Sequence, residues 1–372
     1  MSATINCDIA VVGGGLVGAA IAYGLAGRGL KPVVVDEGDV AYRASRGNFG
    51  LIWVQGKGLG FDAYARWTRL SSEIWGDFAQ ELQDVTGVDV AHRRPGGLEV
   101  CVDDAEYQER AEELHRLSEQ TPGFEYELLD PAALRALVPG VCEALPGGAY
   151  CPHDGHANPL YLLRALHEGI TRKGGRYLPE GPVSAIAPDG AGFALTTRAG
   201  RLRAERVVVA AGLGSKALAS EVGLDAPVYP NRGQILVTER VAPFLELPTA
   251  YLRQTAEGSL QLGDTHEDVG LDDGTTSAAM KAIAARAVKC FPFLESVRLV
   301  RAWGALRVMT PDGAPIYDAS ERHSGAFLAT CHSGVTLAAV HAIPLAAWIA
   351  GADPPPEVRS FSAERFHVQT AA

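Results

Sequence analysis

Three glycines and one acid carry the first chemical signal. In Gly13-Gly14-Gly15-Leu16-Val17-Gly18 the glycines follow an apolar run from Cys7 to Val12 and precede a helix-patterned run over 19–28. A second apolar run, 31–35, ends in Asp36, 23 positions after Gly13. Strand, glycine turn, helix and a second strand tipped with an acid make up the unit that binds dinucleotides. Gly13 permits the tight turn, Gly15 lets the backbone approach a pyrophosphate, and Gly18 lets helix and strand pack closely, while helix N-terminal amides face the phosphates. Asp36 would accept a hydrogen bond from a ribose hydroxyl. The spacing does not separate NAD from FAD, but a nucleotide unit at the start with more than 300 residues after it favours FAD.

Other reactive side chains point to less. His153, Asp154 and His156 lie together before a helix-patterned run, where Asp and His more often cap than ligate, so no metal site is expected. The six cysteines are widely spread with no Cys-x-x-Cys pair, which disfavours zinc, iron–sulfur ligation and a disulfide framework and fits a reducing, cytoplasmic location. A net charge of −11 gives no general attraction to nucleic acid or anionic lipid.

The elements that must position these groups follow from patterning. With 47% hydrophobic and 21% charged residues the chain folds, and its 372 residues suffice for two or three units. Residues 9–27 carry no charge, yet the six glycines there and Asp8 before them fit a packed turn and helix, so no membrane span is expected. The small, polar segment Arg43-Ala44-Ser45-Arg46-Gly47-Asn48-Phe49-Gly50 reads as a cofactor-facing loop, followed by 51–55. Over 64–82 the aromatic and aliphatic residues recur at helical spacing and read as core. A strand over 96–102, a helix over 104–120 with a solvated acidic face, and a short helix capped by Asp130 with Pro131 in its first turn come next. After a helix over 160–173, a meander over 182–186, 193–197 and 202–206 runs into a buried strand ending in Ala210-Ala211-Gly212, which delivers its backbone to a ligand at the carboxyl edge of a parallel sheet. Segments 228–253 and 259–268 alternate as an antiparallel sheet would, and 336–352 reads as a core helix containing His341 and Pro344. The fold class is α/β (α+β): a discontinuous Rossmann-like FAD-binding domain over 1–85, 145–218 and 300–372, and an inserted substrate domain over 86–144 and 219–299 built on an antiparallel sheet.

These pieces, together with Pro230-Asn231-Arg232-Gly233-Gln234-Ile235, Trp303-Gly304-Ala305-Leu306-Arg307 and His332-Ser333-Gly334-Val335-Thr336-Leu337, resemble the D-amino acid oxidase superfamily of FAD-dependent oxidoreductases nearly end to end. The branch most resembled contains glycine oxidase, the flavin subunit of hydrogen cyanide synthase and the catalytic subunits of opine and D-hydroxyproline dehydrogenases. The resemblance implies that Gly13, Gly15, Leu16, Val17, Gly18, Asp36 and Glu37 hold the nucleotide with Val183 on the adenine. It implies that Arg43, Ala44, Ser45, Asn48, Phe49, Gly50 and Leu51 follow the pyrophosphate and flavin edge, joined by Ala210, Ala211 and Gly212. Arg307, His332, Ser333, Gly334, Val335 and Thr336 would complete the flavin site, the last three with a helix N-terminus that stabilises the anionic reduced ring. Arg307 would also bind the substrate carboxylate bidentately, with Tyr251 on the same group and His332 beside the flavin as the third catalytic candidate. Trp53, Gln55, His266, Arg253 and Trp303 are the remaining substrate-pocket candidates.

Two departures bear on chemistry. Ala305 stands where sarcosine oxidases carry the cysteine that attaches FAD, so the cofactor is expected to be non-covalent. Gln261 stands where those enzymes carry a lysine that speeds the reaction with oxygen, which favours a dehydrogenase passing electrons to an acceptor or partner subunit. The implied reaction is hydride transfer from the C–N carbon of an amino acid or N-substituted amino acid to flavin, giving an imine that water hydrolyses to an oxo acid or aldehyde plus amine. The alternatives are a glycine, sarcosine or D-amino acid oxidase using dioxygen, and a non-catalytic flavin-binding assembly or electron-transfer subunit.

Overall fold

The computed structural model describes residues 4–38, 44–179, 181–198 and 200–367. At its centre the apolar strand Ile5–Val12 is flanked by two parallel neighbours, Pro32–Val35 and Gly200–Val209. The sheet runs in the order Ile316–Ala319, Ala326–Thr330, Gly200–Val209, Ile5–Val12, Pro32–Val35, Arg176–Leu178. Where both faces are covered the central strands are apolar and buried: Ile9-Ala10-Val11-Val12, Pro32–Val35 and Val207-Val208-Val209, whereas the first half of Ile5–Val12, with Asn6, Cys7 and Asp8, is more exposed. The meander differs from the sequence reading in one respect: 202–206 and 206–209 are a single strand, Gly200–Val209. Its first half pairs antiparallel with Gly192–Thr197 and its end pairs parallel with Ala326–Thr330, while Ile5–Val12 runs along its other side.

The helix Leu16–Gly27 follows the glycine turn with no charged residue and ten buried ones, because it is enclosed by neighbours on all sides. One neighbour is Asp62–Thr86, whose Trp67, Trp75, Phe78 and Leu82 are buried, as their spacing predicts. Another is the helical run near the C-terminus. It is broken where the sequence suggested a continuous helix: Ala338–Val340 and Ala346–Ala350 are α-helical, and His341–Leu345 between them is a π-turn containing Pro344. Proline has no N–H to donate to the carbonyl four residues back, and the wider turn absorbs that loss. Asp130 accepts from the Ala133 amide at 2.8 Å with Pro131 in the first turn, and Asn158 caps Pro159–Arg172.

A second, antiparallel sheet runs in the order Leu252–Gln254, Ser259–Leu262, Tyr229–Arg240, Leu299–Met309. Leu299–Met309, placed by sequence in the cofactor unit, pairs from Tyr229↔Met309 to Thr238↔Leu299 in this sheet. Gly147–Cys151 likewise pairs with Gly97–Cys101 and Glu127–Leu129 in a three-stranded sheet. Chain segments of the two expected units are thus interleaved, and a cleft lies between the sheets.

Candidate functional site

The carboxyl end of the parallel sheet opens on a cavity of about 450 Å³. One wall is the turn after Ile5–Val12, with Gly13, Gly15, Leu16 and Val17; a second is Ala210, Ala211 and Gly212; Asp36, Glu37 and Val183 line one region and Ala44, Ser45, Asn48, His332 and Gly334 another. Gly13 has φ +105°, and a Cβ on it would come within 2.7 Å of the Ala210 carbonyl carbon and closer still to its oxygen. Gly18 does not line the cavity; it lets the helix sit against the Gly13 carbonyl. Arg43 lies outside the described residues.

The groups here fit FAD. Asp36 accepts from the Gly14 amide at 2.7 Å and the Gly38 amide at 2.9 Å, and a carboxylate so held keeps lone pairs for a ribose hydroxyl. The Ser45 hydroxyl accepts from the Leu16 amide at 2.9 Å, at the helix N-terminus where a pyrophosphate is favoured. Two supporting residues were not found from sequence. His167 Nε2 meets the Gly14 carbonyl at 2.7 Å, and its ring stacks on Tyr177 at 3.9 Å and 18°. Burial lowers the His167 pKa, so the neutral ring donates from Nε2 and fixes the Gly14 peptide. Their signal was hidden in an amphipathic helix and a short strand.

A second cavity, of about 310 Å³, adjoins the first, and Ala44, Asn48 and His332 line both. Phe49, Leu51, Ser333, Val335 and Thr336, expected at the cofactor, face this second space, as do Trp53, Tyr251, His266 and Arg307. Thr336 Oγ1 accepts from the Trp53 amide at 3.1 Å, tying the loop after 43–50 to the helical run. The strand Leu299–Met309 passes between the cavities: Leu306 and Val308 line the first, Ala305 and Arg307 the second. Alternate side chains of a strand face opposite ways, so one strand serves both.

Arg307 is the best-held group in the second cavity. Nη1 donates to Asn231 Oδ1 at 3.0 Å and to the Thr265 carbonyl at 2.8 Å, and Nη2 pairs with Asp264. The Tyr251 ring lies under the Arg286 guanidinium at 3.9 Å, and Arg286 is in turn held by Glu106 at 2.8 and 2.9 Å. Burial, then the nearby Glu99 charge, raises the Tyr251 pKa, so it stays a phenol that can donate. His266 stands exposed at the mouth, 3.7 Å from Asp264.

Three expected pocket residues are used elsewhere. Gln55 is buried and donates to Asp154 at 2.6 Å and to the Gly97 carbonyl at 3.3 Å. Arg253 is buried, donating through Nε to Gln261 at 3.2 Å and meeting His156 at 3.4 Å beneath Gly50, which lines neither cavity. Trp303 donates to the Gly47 carbonyl at 3.2 Å and so braces the cofactor-facing loop. Each satisfies a partner distant in sequence, which spacing cannot foretell. Cys331 lines the first cavity, but burial pushes its thiol up to about 12, which rules out a thiolate nucleophile.

One residue was missed outright. Lys57 lines the second cavity with its Nζ 3.4 Å from His332 Nδ1. Burial, then Arg307, pushes its pKa down to about 8, and burial, then Lys57, holds His332 well below the ordinary imidazole value.

The model of a family described as FAD dependent oxidoreductase matches residues 8–348. An opine oxidase subunit of Agrobacterium tumefaciens (strain Ach5) is 42% identical over 366 residues, covering 98% of this chain and 99% of that protein. Hydrogen cyanide synthase subunit HcnC of Pseudomonas aeruginosa is 27% identical, covering 98% and 97%. The crystal structure of glycine oxidase from Geobacillus kaustophilus superposes with a TM-score of 0.89 at 25% identity, covering 96% and 98%. Family, fold and paired cavities agree: the chain belongs to the DAO family of FAD-dependent oxidoreductases, enzymes that oxidise C–N bonds of amino acid-like substrates.

Proposed function

We propose that the chain is an amino acid or opine dehydrogenase whose substrate carboxylate rests on Arg307 and Tyr251. The observation that carries this reading is Arg307 in a cavity that adjoins the larger one and shares Ala44, Asn48 and His332 with it. Three of its five N–H groups have protein acceptors among the described residues, which leaves two for a ligand carboxylate. Fixing the carboxylate places the neighbouring C–H and nitrogen, and Trp53, Phe49 and Ile235 limit access of water. When bound, FAD supplies the two-electron acceptor for a hydride. Ala305 on the cavity wall offers no thiol, so the cofactor is held without a covalent bond there. Water then hydrolyses the imine.

Similarity to the opine oxidase protein favours an N-substituted amino acid as substrate and a partner subunit as electron acceptor, and six free cysteines fit a reducing cytoplasm. Among the described residues no helix is long and apolar enough to cross a membrane. Direct oxidation by dioxygen is the second reading, favoured by Lys57, a cation in the cavity that position 261 does not provide. Anaerobic mixing with opines, cis-4-hydroxy-D-proline, D-amino acids, sarcosine and glycine, followed by flavin absorbance, tests the function: at least one bleaches the flavin, and bleaching by none refutes it. Reoxidation in air within seconds marks an oxidase, and over minutes a dehydrogenase.

A further inference from the structure

We propose that Lys57 is the base that removes the ammonium proton of the bound substrate, with His332 as the group that aims its Nζ. The proposal rests on the amine-oxidation reading above. An amine donates hydride from its α-carbon only when the nitrogen has a free electron pair, and a substrate that arrives as an ammonium must first lose a proton.

Among the described titratable groups lining the cavity, Lys57 is the one suited to that step. Asp264 is ion-paired with Arg307, and Glu99 lies 3.5 Å from Arg110. Arginines remain charged, and Tyr251 is held as a phenol. His266 is at the exposed mouth beside Asp264. Arg307, His332, His266, Asp264 and the neutral Cys331 thiol are the groups facing Lys57; burial and Arg307 favour its neutral amine, while Asp264 opposes them. The outcome, about 8, leaves a useful fraction of free amine near neutral pH.

The geometry that aims this amine starts from the backbone. Lys57 N donates to the Val54 carbonyl at 3.0 Å, closing the turn that brings the side chain back over the cavity. His332, held neutral, accepts at Nδ1 from Nζ at 3.4 Å, which requires its own proton on Nε2. Ser333 Oγ lies 3.2 Å from the same Nδ1 and 3.1 Å from the Tyr64 hydroxyl, so Lys57 and Ser333 share that nitrogen and the contact to Tyr64 anchors the serine. In the step itself, an N–H bond of the substrate ammonium breaks and its proton bonds to Nζ. The pair left on nitrogen becomes the C=N bond as the Cα–H bond breaks and its electrons leave as hydride to the flavin, the oxidant of the family. The product is the iminium, the protonated imine, and Lys57 returns its proton to water when it departs.

The test uses the holoenzyme and the substrate that bleaches it fastest in the anaerobic screen. The wild-type reduction rate should fall along an acid limb centred near pH 8. Lys57→Met should be roughly 10²-fold slower at pH 7 and recover above the substrate amine's own pKa, where no base is needed. Lys57→Arg keeps the charge but cannot accept the proton, so it should be equally slow with its flavin spectrum intact, which separates the missing base from a misfolded site. Competitive labelling by acetic anhydride, read on the Lys57 peptide by mass spectrometry, gives a measure independent of turnover, with half-maximal labelling near 8. An unshifted acid limb in Lys57→Met, a full rate in Lys57→Arg at pH 7, or labelling half-maximal near the ordinary 10.5 overturns the proposal. Failure of every amine to bleach the wild type strikes instead at the function, and the labelling profile still reads Lys57.

Discussion

A methyl group at position 233 is expected to displace the carboxylate anchor without unfolding the protein. Gly233 lies opposite Ala305 in the Tyr229–Arg240/Leu299–Met309 pair, two positions along from Asn231↔Arg307. A Cβ there would lie 2.6 Å from Arg307 Cζ and 2.7 Å from Nη1, where ordinary contact needs about 3.5 Å. The guanidinium ends a flexible side chain, so it yields by about 1 Å and the strand stays in place, with Tm little changed. The bonds from Nη1 to Asn231 and Thr265, at 3.0 and 2.8 Å, then lose their geometry, and the fork no longer matches a carboxylate. Loss of one charge-assisted hydrogen bond is worth about 1.5–3 kcal/mol, or roughly 10- to 150-fold in kcat/KM, mostly through KM. The assay is steady-state kinetics of Gly233→Ala with flavin content read at the same time. A KM within about twofold of wild type, with flavin retained, would refute the placement of the carboxylate on Arg307.

Gly13→Ala must accommodate a Cβ against the Ala210 carbonyl at φ +105°, so the purified protein should lose flavin and Tm; a yellow protein of wild-type stability would contradict the turn geometry. Asp36→Ala removes the acceptor of the Gly14 and Gly38 amides, at about 1.5–3 kcal/mol each, and gel filtration should strip its flavin where the wild type keeps it. Acid precipitation should release the flavin into the supernatant, whereas flavin in the pellet would mean a covalent bond. Asp154 gives a pH test: burial raises its pKa from 3.8 to about 7, so the folded state keeps a proton that the unfolded chain gives up. Its contribution to stability is complete below about pH 4 and lost as pH rises through 7. The Tm of wild type relative to Asp154→Asn should therefore fall between about pH 4 and 7 and level off above that, and a constant difference would exclude the linkage.

The nucleotide-binding half was readable because its signal is local: the apolar strand, three glycines and an acid lie within about 30 residues and each has one structural task. Of the residues expected in catalysis or substrate binding, Arg307, Tyr251, His332, Trp53 and His266 line the second cavity, and the rest do not. Gln55 and Lys57 show why. They lie two positions apart in one turn, yet Gln55 turns inward because Asp154 waits there, nearly a hundred positions further on, while Lys57 swings over the cavity toward His332. Arg253 was diverted in the same way by Gln261 and His156. Domain limits drawn along the chain missed that Leu299–Met309 joins the antiparallel sheet, since pairing partners far apart in the chain leave no mark in either strand's own pattern.

That strand has a consequence for how the enzyme can diversify. Its even positions, Leu306 and Val308, face the first cavity and its odd positions, Ala305 and Arg307, face the second. Point substitutions can therefore alter the two cavities separately, one parity for each. An insertion or deletion of a single residue would exchange the two sets, driving a guanidinium toward the first cavity and a leucine toward the second. Drift in this segment should be abundant in side chain and forbidden in length.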